Sequence, residues 1–89
     1  MEVKIYSISD CGYCETLKNV LRESNIPFED IKVCRLTETG DGMPFSEYVK
    51  LEPNVPLVRK LSFPQVYFDE KYVGNMKDAL NYLRENETK

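Results

Sequence analysis

The sequence predicts a single α/β domain, residues 1–89, that opens strand–helix–strand and closes strand–strand–helix. Three observations predict it. Residues 2–8 alternate with period two, 12–24 repeat with helical period, and 28–33 form a second β-rich run. Two more β-rich runs, 63–68 and 72–73, lead into a second amphipathic helix. The 89 residues leave no room for a second hydrophobic core.

Each element has its own signal. In the first strand Val3, Ile5 and Ser7 alternate with Lys4, Tyr6 and Ile8, and Ser9-Asp10 break the pattern. Tyr13, Leu17, Val20 and Leu21 then recur at helical spacing. Asn25-Ile26-Pro27 ends that helix, because a residue before proline avoids the helical region. In the second strand Phe28, Asp30 and Lys32 oppose Glu29, Ile31 and Val33. A helix between two strands makes them parallel, with a right-handed crossover. Thr37, Glu38, Thr39, Gly40, Asp41 and Gly42 have the chemistry of a loop. Pro44 suits the start of a short helix over 45–51, and Val55 to Leu61 reads as another short helical piece. Phe63 to Phe68 is a strand whose proline sits near its start, where proline is tolerated. Asp69-Glu70-Lys71 turns the chain into Tyr72-Val73. Gly74 opens onto a helix from Met76 to Arg84, with Met76, Ala79, Leu80 and Leu83 on one face. Glu85 to Lys89 are expected to fray.

Composition narrows the chemistry. A hydrophobic share of 42% and a charged share of 30% fit an ordinary soluble domain. The net charge of −3 argues against nucleic acid as a partner, because phosphate binding needs a basic face. No stretch reaches the roughly 20 apolar residues of a membrane helix. The start, Met1-Glu2-Val3-Lys4, lacks the profile of a signal peptide, so the expected compartment is the cytoplasm, or a host's cytoplasm for a viral protein. With no histidine, the chemistry falls to thiols, carboxylates, amines, tyrosines and backbone groups. Three cysteines, an odd number, favour reactive thiols over a disulfide framework.

Cys11-Gly12-Tyr13-Cys14 is a C-x-x-C at the hand-over from the first strand to the first helix. Unpaired backbone N–H groups and the positive end of the helix dipole meet there. A thiolate is favoured over a thiol at such a place, which lowers the thiol's pKa. Cys11, at the helix end, is the expected nucleophile. Cys14, one turn in with its Cβ tilted back toward Cys11, is the resolving thiol. The reaction implied is thiol–disulfide exchange. The other readings are a zinc site and two incidental core cysteines. Zinc needs four ligands, and only Cys34 remains without any histidine, so no metal site is expected. Asp10 either opposes the thiolate, points to solvent or caps the helix. Tyr13 is a rim aromatic or a core residue. Cys34 is most simply a small buried hydrophobe, with a regulatory thiol as the other reading.

These motifs resemble those of the glutaredoxin family, within the thioredoxin-like superfamily, and the match covers nearly the whole chain. Cys11-Gly12-Tyr13-Cys14 is similar to the family's active site, with glycine where proline is commonest. Ser62-Phe63-Pro64 is similar to its Thr-Val-Pro signature, and Gly74-Asn75 with Asp78 to the Gly-Gly and aspartate that begin the last helix. The stretch from Cys34 to Leu61 and the run Phe63-Pro64-Gln65-Val66 are most similar to the T-even phage type. The resemblance implies a mixed four-stranded sheet flanked by helices, β-α-β-α-β-β-α. It implies a cis Pro64 facing the cysteine pair. It implies a glutathione site in which Tyr13 forms the rim and the Phe63 backbone pairs with the cysteinyl part. The N–H groups of Met76 and Lys77 take the γ-glutamyl carboxylate, and Asp78 lies near the amino group. The implied protein is a monomeric dithiol–disulfide oxidoreductase with no tightly bound cofactor and glutathione as reductant. Its implied substrates are disulfide proteins, with ribonucleotide reductase as the partner of the phage type. Two positions depart from the family pattern: Ile8 stands where a lysine is frequent, and Asn75 replaces the second glycine. Arg59 or Lys60 either supplies the missing positive charge or is solvated surface charge. Two other functions fit the residues. One is a glutaredoxin that bridges a [2Fe–2S] cluster, which Gly12 permits. The other is a thioredoxin-like carrier reduced by a flavin reductase.

Overall fold

The computed structural model describes residues 2–34 and 42–87, with side chains through Glu85. The expected loop residues Thr37 to Asp41 lie outside the described residues, as do Thr88 and Lys89. The elements are β1 (Val3–Ser7), α1 (Gly12–Glu23), β2 (Glu29–Lys32), α2 (Phe45–Tyr48), α3 (Leu57–Lys60), β3 (Gln65–Phe68), β4 (Lys71–Gly74) and α4 (Met76–Glu87). The strands form one mixed sheet in the order β2-β1-β3-β4. β1 runs parallel to β2, with Ile5 opposite Asp30. It runs antiparallel to β3, with Ile5 opposite Val66. β3 and β4 form an antiparallel pair with a register shift between Val66 and Tyr67.

The period-two alternation of β1 divides the molecule into two layers. Val3, Ile5 and Ser7 are buried on one face. There Val3, Ile5, Val66 and Phe68 pack with Leu17 and Leu21 of α1 and Ala79 of α4. Met76, Leu80 and Leu83 join this core from α4, as their spacing predicts. Tyr82 joins it too, stacking on Phe68 with ring centroids 4.6 Å apart.

The opposite face of the sheet carries an aromatic layer that no periodicity announced. Tyr6 lies 5.9 Å from Tyr48 and 5.5 Å from Tyr67, and Tyr67 lies 5.5 Å from Tyr72. Burial, then the neighbouring tyrosines, raise the Tyr48 hydroxyl well above its ordinary range. Burial and the Glu52 carboxylate do the same for Tyr67. Both stay protonated and donate, Tyr48 to the Lys60 carbonyl at 2.6 Å and Tyr67 to Glu52 at 3.2 Å. The segment holding α2 and α3 is thereby tied to the sheet.

α1 ends through a different device from the one its proline suggests. Asn25 is left-handed at φ 58. Its N–H donates to the Arg22 carbonyl at 3.1 Å, and the Ile26 N–H donates to Leu21 at 2.9 Å. These are the paired bonds of a Schellman stop, which satisfies carbonyls the helix leaves open. β2 is shorter than the predicted 28–33. Phe28 packs against the core, while Val33 leaves the strand to bridge Met43 in parallel. The Cys34 N–H donates to the Met43 carbonyl at 2.8 Å, and the Cys34 side chain is buried. α4 continues through Glu87 rather than fraying from Glu85.

One buried cation stands out. Lys18 is only 7% exposed, and its Nζ lies 2.7 Å from Asp30 Oδ2 and 3.5 Å from Glu15 Oε1. The Ser7 hydroxyl donates to Asp30 Oδ1 at 2.7 Å. Burial raises the Asp30 pKa, but the bonds from Lys18 and Ser7 and the charges of Lys18 and Arg22 outweigh it, and the net shift is downward. A carboxylate whose folded pKa is depressed stabilises the fold above its unfolded pKa and loses that contribution as pH falls through the folded value. The stability gap between the wild type and Asp30→Asn is therefore expected to be widest near neutral pH. It should shrink as pH falls below 3.8, the ordinary aspartate value, in urea melts at several pH values. Phe68→Ala removes a fully buried ring and should cost about 3–5 kcal/mol by the same measurement.

Candidate active site

The junction of β1 and α1 is built by Cys11 itself. Its backbone is extended, at φ −110 and ψ 106, and it occupies the N-cap of α1. The Cys14 N–H donates to Cys11 Sγ at 3.1 Å. A cap residue normally offers a side-chain oxygen to this orphan N–H. Here a sulfur takes that place, and it is one of the two sulfurs of the C-x-x-C bridge. Cys11 and Cys14 are bridged, with Cα atoms 5.3 Å apart. Cys11 is half-buried, while Cys14 is 1% exposed and shielded beneath it. The two sulfurs are thus unequal in exposure.

The neighbours fall out as follows. Tyr13 is 67% exposed and stands on the rim, not in the core. Asp10 is left-handed at φ 56 and exposed, so of its readings the solvent-facing one holds and the cap belongs to Cys11. Gly12 is exposed, and an added β-carbon would meet nothing within 4 Å.

The Phe63–Pro64 bond is cis, and Pro64 is fully buried. The Phe63 carbonyl oxygen lies 3.9 Å from Cys11 Sγ, although the two residues are 52 positions apart. Tyr13, Ser62, Phe63, Asn75, Met76 and Lys77 line one hollow of about 190 Å³ beside the disulfide. Four of the six predicted glutathione-site residues, Tyr13, Phe63, Met76 and Lys77, thus share one cavity. Pro64 lies behind Phe63.

Asp78 has a second employment. Its Oδ2 accepts the Asn75 N–H at 3.3 Å, and the Asn75 side chain accepts the Asp78 N–H at 3.1 Å. This reciprocal pair is a capping box, and it explains why asparagine serves at position 75. Gly74 precedes it at φ +134, and a β-carbon there would collide with the Asp78 carboxylate. Asp78 also lies 3.5 Å from Arg59. Arg59 is therefore paired with the start of α4 rather than merely solvated. Lys60 does neither thing expected of it: it is 7% exposed, and its Nζ donates to the Val49 carbonyl at 2.8 Å.

Gln65, read from the sequence only as part of the run Phe63-Pro64-Gln65-Val66, positions the cis-proline segment. The side chain is 2% exposed. Its amide N donates to the Arg59 carbonyl at 2.9 Å and also to the Ser62 carbonyl. Its amide O accepts the Tyr72 hydroxyl at 2.5 Å. One buried amide thus holds both ends of the turn that delivers Phe63 to Cys11. Strand alternation gave no signal for this, because Gln65 lies on the Tyr6 face, opposite the core-facing Val66 and Phe68; once buried there, its amide must be hydrogen-bonded.

Comparison with known proteins agrees with this geometry. The family model described as Glutaredoxin matches residues 3–73. The chain is similar to Glutaredoxin 1 of Rickettsia prowazekii, 28% identical over 81 residues, covering 91% of this chain and 76% of the relative. Its fold is similar to the crystal structure of glutaredoxin 1 from Francisella tularensis complexed with cacodylate. The TM-score is 0.70 at 20% identity, covering 99% of this chain and 98% of that one. The fold is also similar to that of reduced Escherichia coli glutaredoxin, with a TM-score of 0.72 at 17% identity over 100% of both chains.

Gln65→Leu keeps the volume but strands two carbonyls and a hydroxyl. The expected cost is about 1–3 kcal/mol in stability. Disulfide exchange should slow on the order of tenfold, the effect of roughly 1.4 kcal/mol on a barrier. A stopped-flow comparison with the wild type, read at a temperature where both are folded, checks this.

Proposed function

This chain belongs to the glutaredoxin family and is a thiol–disulfide oxidoreductase, and on that premise we propose that it takes electrons from glutathione and passes them to protein disulfides through Cys11 and Cys14. The observation that carries the reading is the hollow of about 190 Å³ that joins Tyr13, Phe63, Met76 and Lys77 beside the disulfide. It suits a small peptide-like thiol. The Phe63 backbone offers an edge for pairing with an extended ligand. The start of α4 offers N–H groups of Met76 and Lys77 to a carboxylate, and Asp78 supplies a negative charge for an amino group.

The chemistry follows from the junction. The helix N-terminus favours a sulfur anion at Cys11. That thiolate attacks a substrate disulfide, forming a Cys11–substrate bridge and expelling the other substrate sulfur as a thiolate. Cys14, deprotonated, then attacks Cys11 Sγ and releases the reduced substrate. The product is the Cys11–Cys14 bridge seen in the structure. One glutathione thiolate opens that bridge at Cys11, and a second attacks the glutathione sulfur, leaving oxidised glutathione and the Cys11 thiolate. Two electrons pass in each cycle.

The finer reading is a monomer of the phage type in the cytoplasm of a host, with ribonucleotide reductase as one acceptor. The run Phe63-Pro64-Gln65-Val66 and the long stretch from Cys34 to Leu61 support it.

A coupled assay tests the electron source. Glutathione with its reductase should sustain turnover of a small disulfide, whereas thioredoxin reductase should not. Turnover with thioredoxin reductase alone would reverse the reading. Cys11→Ser should abolish all exchange. Cys14→Ser should still reduce glutathione mixed disulfides, which need one thiol; equal loss in both variants contradicts the assigned roles. Protein purified without oxygen should be colourless, and visible absorbance with bound iron would favour the cluster-bridging alternative.

A further inference from the structure

We propose that the outward face of α3 and its C-cap, made by Leu57, Val58 and Leu61, docks an extended apolar segment flanking the reactive cysteine of the disulfide-bearing protein substrate. The inference deepens the oxidoreductase reading and rests on it. The first observation is exposure. Leu57 is 55% exposed, Val58 73% and Leu61 52%, and with Tyr13 they are the exposed large hydrophobic residues among those described. Leu57 and Leu61 are four residues apart and Val58 and Leu61 three, so they share one helical stripe.

The second observation is that α3 is inverted. A surface helix ordinarily turns its apolar residues inward and its lysines outward. Here Lys60 is 7% exposed, with its ammonium on the Val49 carbonyl, while the leucines and the valine face solvent. A buried ammonium is tolerated only with partners, and exposed apolar side chains gain nothing in the isolated chain. The isolated chain gains nothing from exposing these three side chains, whereas a partner that covered them would.

The third observation is continuity with the site. α3 runs directly into Ser62 and Phe63, which line the hollow with Tyr13 and Met76. The Phe63 carbonyl is 3.9 Å from Cys11 Sγ. The pairs Arg59–Asp78 at 3.5 Å and Gln65–Arg59 at 2.9 Å hold α3 against the start of α4 and the cis-proline turn. Leu61 is thus at most about 7 Å of chain from Phe63. An extended peptide advances about 3.3 Å per residue. A substrate whose cysteine is joined to Cys11 therefore brings residues two to four positions away onto this stripe. The recognised feature is an apolar side chain at that spacing.

The test compares two peptide disulfides that differ only in carrying leucine or serine two to four positions from the cysteine. Exchange is read in single turnovers from dithiothreitol-reduced full-length protein, so it is independent of the natural reductant. Wild type should favour the leucine peptide on the order of tenfold. A Leu57→Ser, Val58→Ser, Leu61→Ser triple variant should lose that preference while reducing hydroxyethyl disulfide at the wild-type rate. Val58→Ser alone, at the most exposed position, should lose part of it and guards against misfolding of the triple variant. Equal rates for the two peptides on the wild type, or a preference that survives in the variants, would overturn the proposal. So would a concentration-dependent dimer, seen by sedimentation, that the triple variant abolishes, since the occupant would then be a second copy of the chain. Failure of the glutathione-coupled assay would overturn the reductant proposed above and leave the peptide comparison standing.

Discussion

The first N–H groups of a helix need acceptors, and in this protein the acceptor at α1 is the Cys11 sulfur. That substitution of sulfur for oxygen links the stability of the helix start to the chemistry of the site. The same orphan donors that a serine or aspartate would satisfy are offered to a sulfur, which gains as an anion and loses as a protonated thiol. It also sets the geometry, since Cys14 follows one turn later and is buried behind Cys11. The two sulfurs therefore differ in access: Cys11 is half-buried and Cys14 is shielded. The strand before the helix holds this point in place. β1 is central in the sheet, between β2 and β3, and its inner residues Val3 and Ile5 are fully packed.

The other half of the site depends on a turn that has little internal support. α2 and α3 are four residues each, and neither has a side-chain hydrogen bond at its N-cap. Helices this short are not stable by themselves. Their order comes from tertiary bonds instead. The Tyr48 hydroxyl and the Lys60 ammonium cross-link α2 and α3, and Gln65 grips the turn between α3 and β3. Burial in the aromatic layer on the second face of the sheet keeps the Tyr48 hydroxyl protonated. Tyr48 also packs on Phe63, with centroids 5.1 Å apart, so the layer reaches the residue that faces Cys11. A polar, aromatic sheet face that could have been solvent-exposed serves as the platform for the cis-proline turn.

Charged residues show why sequence position misleads about environment. Lys18 and Lys60 read as ordinary surface lysines, yet both are buried and each has a carbonyl or carboxylate partner. Asp30 lies on an edge strand and still carries the buried ammonium of Lys18 and the hydroxyl of Ser7. Asp78 was assigned to a ligand and is first of all half of a capping box. The resemblance placed it correctly at the start of the last helix. It did not disclose that the carboxylate also meets Arg59.

The sequence by itself determined what is local. The order of strands and helices, the inward residues of β1, the apolar stripe of α4 and the two sulfurs at a helix start all follow from periodicity and from bonds spanning a few residues. The cis proline and the residues of the hollow were legible only through resemblance, because nothing within residues 62–64 says what they will face. The tertiary structure decided the rest: the approach of Phe63 to Cys11, the clamp at Gln65, the inward turn of Lys60 and the outward turn of Leu57, Val58 and Leu61. The physical reason is that a hydrophobic pattern specifies which face of an element seeks cover but not which element provides it. A buried polar group is permitted only by partners that the fold brings from far along the chain.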